Sequence, residues 1–296
     1  MPIDIAAAAD FMATHARLLD RRRFALLVGD GAAGPALAAL EGHRNPDGGY
    51  GWALEPDLRS TTSQPGAALH AFEVLDEVGP VTSPQATALC DWLAAVSGAD
   101  GGLPFALPLA DRAGCAPFWA EPPVGSSLQI TAIVAAVAHR VARHDPAVAA
   151  HPWLATATRY CLDAVETLDA TAHALVLTFA LRFLDAVHDT RPEAAALLGR
   201  LGALLPADGV LPVEGGADGE AIRPLDIAPE PGRPVRALLT PDAVAADLDR
   251  LASLQQPDGG WPVEWTAYSP AAALDWRGYL TVRAVSVLMA NGWAQT

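Results

Sequence analysis

The sequence predicts an all-α protein, an α/α toroid in which repeated antiparallel helix pairs, five to six in number, form one domain over residues 1–296. Three observations point there. An Asp-Gly-Gly marker recurs along the chain, Ala, Leu and Val fall at three- and four-residue spacing between the markers, and the two-residue alternation of a half-buried strand is nowhere sustained.

The markers are Asp47-Gly48-Gly49, Asp100-Gly101-Gly102 and Asp258-Gly259-Gly260, with a degenerate relative at Asp208-Gly209-Val210. Successive intervals are 53, 108 and 50 residues, so the middle one is the length of two repeats with one marker missing. Glycine past a helix end adopts the left-handed conformation that stops the helix, and aspartate accepts local hydrogen bonds in a tight turn. Tyr50, Trp52 and Trp261 follow their markers closely and are read first as packing between helix pairs.

Apolar spacing and breakers place helices near Ile5 to Leu19, Pro35 to Gly42, Gln64 to Val78, Pro84 to Val96, Ser126 to Arg143, Pro152 to Val165, Ala170 to Val187, Pro192 to Leu205, Pro241 to Gln255 and Asp275 to Ala290. Three long segments interrupt them, Leu103 to Pro123, Leu211 to Leu239 and Val263 to Leu274. Each follows a marker, so all three are expected at one end of the array, as binding loops or lids.

Composition removes several functions. The formal charge is −15 and all 19 basic residues are arginine. Without lysine there is no Schiff-base amine, no P-loop lysine and no Ser-Lys dyad. An acidic chain is a poor partner for phosphate backbones, so nucleic acid is set aside. Cys90, Cys115 and Cys161 share no CxxC spacing and suit a reduced, cytoplasmic setting. Met1 to Ala9 carries no basic residue, unlike a secretory leader, and no apolar run is long enough for a transmembrane segment. A soluble protein with no cofactor and no metal is expected.

The segment Gln255-Gln256-Pro257-Asp258-Gly259-Gly260-Trp261 resembles the QW-type repeat of squalene-hopene and oxidosqualene cyclases, whose α/α-toroid fold is shared with the β subunits of protein prenyltransferases. Asn45 to Trp52 and Ala99 to Gly102 resemble weaker copies of it. This likeness to the terpenoid cyclase and prenyltransferase superfamily implies inner helices ringed by outer ones around an apolar cavity that takes isoprenoid chains. In the cyclases the middle aspartate of an Asp-x-Asp-Asp-Thr-Ala motif protonates the substrate. Thr167-Leu168-Asp169-Ala170-Thr171-Ala172 aligns Asp169 with that donor and keeps the Thr-Ala tail, while Thr167 and Ala170 replace the carboxylates. The Asp-x-Cys zinc pair of the prenyltransferases and an Asp-Asp-x-x-Asp magnesium run are not found.

Other candidates come from the residues themselves. Glu55, Asp57 and Arg59 follow the first marker, and two carboxylates beside an arginine can position a polar group or act as acid and base. Gln64 and His70 lie in the next helix, Gln129 in a later one, and His173 stands four residues after Asp169, the spacing of an acid–base pair on one helical face. Asp226, Trp265, Asp275 and Trp276 come from the last two loops, and their indoles, with Trp52, suit a carbocation or a sugar ring. The catalytic expectation rests on Asp169, Asp57 and His173, and the substrate-binding expectation on the others. Three functions follow: an isoprenoid-type enzyme holding an apolar small molecule, with an aspartate as general acid; a carbohydrate-active toroid using Glu55, Asp57, Asp226 and Asp275; or a non-catalytic toroid binding a lipid or a protein.

Overall fold

The computed structural model describes residues 3–109 and 111–293. It is all-α: fourteen α-helices among the described residues, one 3-10 turn and a two-stranded ladder. In chain order the helices are α1 Ile5–His15, α2 Leu18–Leu27, α3 Ala33–Glu41, α4 Pro65–Glu77, α5 Pro84–Val96, α6 Pro117–Ala120, α7 Leu128–Ala142, α8 Pro146–Ala149, α9 Pro152–Glu166, α10 Ala174–Val187, α11 Pro192–Gly202, α12 Pro224–Ile227, α13 Pro241–Ser253 and α14 Pro270–Ala290. Strands β1 Leu211–Pro212 and β2 Ala221–Ile222 pair antiparallel, Leu211 opposite Ile222. No helix among the described residues is long and apolar enough to cross a membrane.

Local chemistry sets the helix starts. Proline occupies the first turn of α4, α5, α9, α11, α13 and α14, where its missing N–H is one that would be unpaired anyway. Side chains of Asp4, Ser83, Ser127, Thr240 and Ser269 accept amide hydrogen bonds at their helix N-termini. Helices α4 and α7 bury most of their residues, whereas α1, α3, α11 and α13 bury one stripe. Helix α4 packs on α7, α7 on α10, α10 on α12, α12 on α13 and α13 on α14. Both α1 and α2 pack on α14, so the two ends of the chain meet.

One expected helix, Ile5 to Leu19, is two. Ala16 is extended and Arg17 starts α2, whose guanidinium reaches across to the Ala53 and Leu54 carbonyls and to Asp20. Helix α2 carries three consecutive arginines and no apolar periodicity, yet it is buried through ion pairs: Asp20 is fully enclosed and Arg23 is 4% exposed. Helix α10 starts at Ala174 rather than Ala170, because residues 169–172 form a turn.

The markers share one geometry. In each, the aspartate Oδ1 accepts the amide two residues on: Gly49 N at 3.0 Å, Gly102 N at 3.1 Å, Val210 N at 3.1 Å and Gly260 N at 3.1 Å. The glycine between them is left-handed, with φ of 91°, 89°, 68° and 90° at Gly48, Gly101, Gly209 and Gly259. Asp169 makes the same bond to Thr171 N at 2.9 Å, and so supplies the turn absent from the long middle interval.

The turn at 258–260 joins the chain ends. Gln255 accepts from Asp4 N at 2.8 Å and donates to Asp4 O at 2.7 Å, and a side chain on Gly259 would overlap the Ala7 carbonyl of α1. Gly259→Ala is therefore expected to lower stability by more than about 3 kcal/mol in urea unfolding, because backbone on both sides must shift. Gly79→Ala, at a left-handed glycine with nothing near its added methyl, should cost only the about 1–2 kcal/mol of backbone strain. Equal losses at both positions would show that the turn does not seal the ends.

Candidate functional site

A cavity of about 660 Å³ lies among helices α4, α7, α10 and α14. All three long loops contribute to its wall: Phe105, Phe118 and Trp119 from the first, Val213 to Ala217 with the β ladder from the second, and Trp265 and Tyr268 from the third. Phe105 stacks on Trp119 with ring centres 4.6 Å apart, and Trp265 meets Trp276 edge-on at 5.1 Å. Such rings supply wide apolar area and negative faces for a cation.

A charged chain of contacts is set into this wall. His70 of α4 is 5% exposed and sits between two carboxylates, Nε2 to Glu55 at 2.8 Å and Nδ1 to Glu73 at 2.9 Å. Tyr279 donates its hydroxyl to Glu73 at 2.9 Å, and Arg23 lies over the Tyr279 ring while pairing with Glu77. Burial alone would favour neutral His70. The Glu73 charge and the hydrogen bonds to Glu55 and Glu73 outweigh it and push His70 up to about 9. Burial likewise opposes ionised Glu73, but the His70 charge and hydrogen bond, then Arg23 and Tyr279, bring it down to about 2. At neutral pH the centre is an imidazolium paired with the Glu73 carboxylate and hydrogen-bonded to Glu55.

Asp57 adjoins that network through its backbone amide. Its carboxylate accepts from Trp276 Nε1 at 2.7 Å and from Tyr268 N at 3.1 Å, while its own amide donates to Glu55 at 3.0 Å. Burial raises it above the ordinary aspartate value despite these donors. The backbone just before it is strained: Trp52 and Ala53 both have positive φ, 52° and 57°, and Arg17 and His43 hold their carbonyls. That bend turns Glu55 and Asp57 inward.

The structure brings together Glu55, Asp57, His70, Gln129, His173, Asp226, Trp265 and Trp276, all on the cavity wall. Five other expectations are corrected. Asp169 is exposed and off the wall, its Oδ1 held by the Thr171 amide and hydroxyl, which favour the carboxylate rather than the acid. It forms no pair with His173, since 169–173 is not helical; the His173 ring instead caps Leu175 N and reaches the Glu214 carbonyl at 3.1 Å. Trp52 is 52% exposed and bonded to Asn45, outside the cavity. Arg59 and Asp275 pair with each other at 2.6 Å and lie off the wall. Gln64 is buried and straps the first loop through both polar groups of Leu107.

Five wall or support residues were not singled out from the sequence: Arg23, Glu73, Arg182, Tyr279 and Arg283. Glu73 follows His70 by three residues in a predicted helix, and Arg182 and Arg283 are lone charges inside apolar runs, so a signal existed for these three. Among the described residues no group of three His, Cys, Asp or Glu side chains is arranged to hold a metal ion.

No family model and no curated protein matches this chain. A solved structure of a protein from Actinoplanes is similar to it with a TM-score of 0.56 and 16% identity, covering 97% of this chain and 98% of that one. At that identity the likeness shows the fold alone.

The His70 cluster gives a pH signature. Its folded value of about 9 lies above the ordinary 6.5, so its stabilisation is complete below the ordinary value and lost as pH rises through about 9. Urea unfolding from pH 6 to about pH 10 should show that decline. His70→Gln should flatten it and cost about 3–5 kcal/mol at neutral pH by leaving the carboxylates unanswered. An unchanged slope in the variant would assign the decline to other groups.

Proposed function

We propose that this chain is an α/α toroid of six helix pairs, α14 with α1, α2 with α3, α4 with α5, α7 with α9, α10 with α11 and α12 with α13, which takes an apolar small molecule into its central cavity and acts on it by proton transfer from Asp57. The packing of α1 and α2 on α14 and the Gln255 bonds to Asp4 support the ring. The observation that carries the chemistry is Asp57, a carboxyl group with a raised pKa in an aromatic wall beside Trp276.

A protonated Asp57 has an acidic hydrogen facing a site that excludes water on its aromatic side. Donation to an alkene carbon forms a C–H bond, leaves the positive charge on the other alkene carbon, and leaves Asp57 as carboxylate. Trp276 Nε1 and Tyr268 N then stabilise that carboxylate, and the rings of Trp119, Trp265 and Trp276 stabilise the cation. Loss of a proton from the cation back to Asp57 completes an isomerisation or cyclisation with no net change in atoms. The likeness of residues 255–261 to the QW-type repeat directs the choice of substrate toward isoprenoids. The ionisable wall of Glu55, Asp57, His70 and Arg182 favours an enzyme over a purely passive binder. The carbohydrate alternative loses Asp275 from its carboxylate pool to Arg59.

Incubation with polyprenyl and cyclic terpenoid alkenes, read by mass spectrometry, tests this function. Asp57→Asn is expected to lower turnover by about 100-fold or more, the scale of a general acid, with substrate binding kept. Asp169→Asn should leave turnover unchanged. Full activity in Asp57→Asn removes proton transfer by that residue, and a panel with no product removes the isoprenoid substrate class.

A further inference from the structure

A cation on the cavity wall, Arg182, has no ion-pair partner among the described residues. Arg182 lies mid-helix in α10 beside Leu181, Phe183 and Leu184, all fully buried. Its guanidinium forms no hydrogen bond or ion pair among the described residues, and the charges nearest to it include two further cations, Arg140 and Arg283. Three acids of the surrounding helices are already engaged: Glu73 by His70 and Tyr279, Asp226 by Arg283 and the Arg223 amide, Asp76 by Arg140; Glu230, which lines a small void with Arg182, is exposed and forms no ion pair with it. Burial first, then Arg140 and Arg283, bring Arg182 down to about 10, still far above neutrality, so it remains a cation. On its other side lies a void of about 30 Å³, too small for an organic anion, where Asp185 is taken up by Arg233 and Val235 N.

Arg182 is half-buried with its side chain on the cavity wall, so this unpaired cation in an apolar helix is placed to meet a counter-charge that arrives with a ligand. The rest of the wall narrows the choice. Glu214, Glu220 and Glu264 line the same cavity, so a diphosphate or other multiply charged group would meet repulsion. Aromatic and aliphatic side chains supply most of the remaining surface. We propose that Arg182 is an anion subsite that receives the single carboxylate of an otherwise apolar ligand, the body of which lies against Phe179, Ile133 and the aromatic wall. This rests on the cavity being a small-molecule site and is independent of proton transfer by Asp57.

Decanoate, decanol and decyl phosphate share one chain and differ in the head, and the cavity tryptophans report their binding by fluorescence. Decanoate is expected to bind the full-length protein more tightly than either companion. Arg182→Gln should weaken decanoate by at least about tenfold, the scale of a charged hydrogen bond, and leave decanol unchanged. Arg182→Leu should raise the melting temperature of the empty protein while abolishing the rise that decanoate gives the wild type. That second variant separates loss of a ligand contact from loss of folding. Asp57→Asn should bind decanoate normally, so that failure of the catalytic reading and failure of this one are told apart. Equal binding of decanoate and decanol, tighter binding of decyl phosphate, no effect of Arg182→Gln, stabilisation by chloride alone, or no binding of decanoate would each overturn the proposal.

Discussion

At five turns, those of the four markers and of Asp169, an aspartate Oδ1 accepts the backbone amide two residues ahead, and helix packing is organised around that bond. The carboxylate substitutes for a carbonyl acceptor where the helix has stopped, and at four of the five turns a left-handed glycine reverses the chain next to it. Small residues there let neighbouring helices approach the turn: Gly48 and Gly49 meet Ala88 and Trp92 of α5, Gly101 and Gly102 meet Thr156 and Tyr160 of α9, and Gly259 and Gly260 meet Ala7 and Phe11 of α1. The contacted residues are four apart on each helix, so each turn docks on one helical stripe. The long loops that leave the turns at 100–102, 208–210 and 258–260 all contribute to the wall of one cavity.

The cavity wall sets charge into an apolar frame in two different ways. Around His70 every charge has an opposite partner, which gives a rigid and strongly coupled centre. Asp57 and Arg182 lack that cover: the carboxylate accepts hydrogen bonds from neutral donors, and the guanidinium has no hydrogen bond or ion pair among the described residues. The neutral donors favour the Asp57 carboxylate while burial opposes it, and the balance between them changes with the cavity's occupant. The paired groups hold the architecture, and the unpaired ones are where a ligand exerts leverage.

Helix positions were legible because apolar periodicity and the proline and glycine punctuation agree over α4, α5, α9 and α13. Helix α2 was not, since Asp20 and Arg23 are buried through ion pairs that leave no apolar stripe. The wall residues Glu55, Asp57, His70 and Trp276 were found from loop position and residue chemistry. Asp169 misled because its Thr-Ala tail suits a catalytic motif and an Asx turn equally well, and only the hydrogen bond to Thr171 separates the two. Arg23 and Tyr279 join the site through contacts across the fold, and nothing in local sequence reports which groups meet at such distances.

The meeting of α1 with α14 has a kinetic side. These helices are far apart in sequence, so their contact closes a long loop and comes at an entropic disadvantage until the helices between them are packed. Ribosomal synthesis delivers α1 well before its partner α14. Until α14 emerges, the cavity lacks Trp276, Tyr279 and Arg283, and the nascent chain presents an open apolar trough rather than a pocket. A ligand able to bind only the closed cavity would act on the final step of folding and serve as its thermodynamic latch.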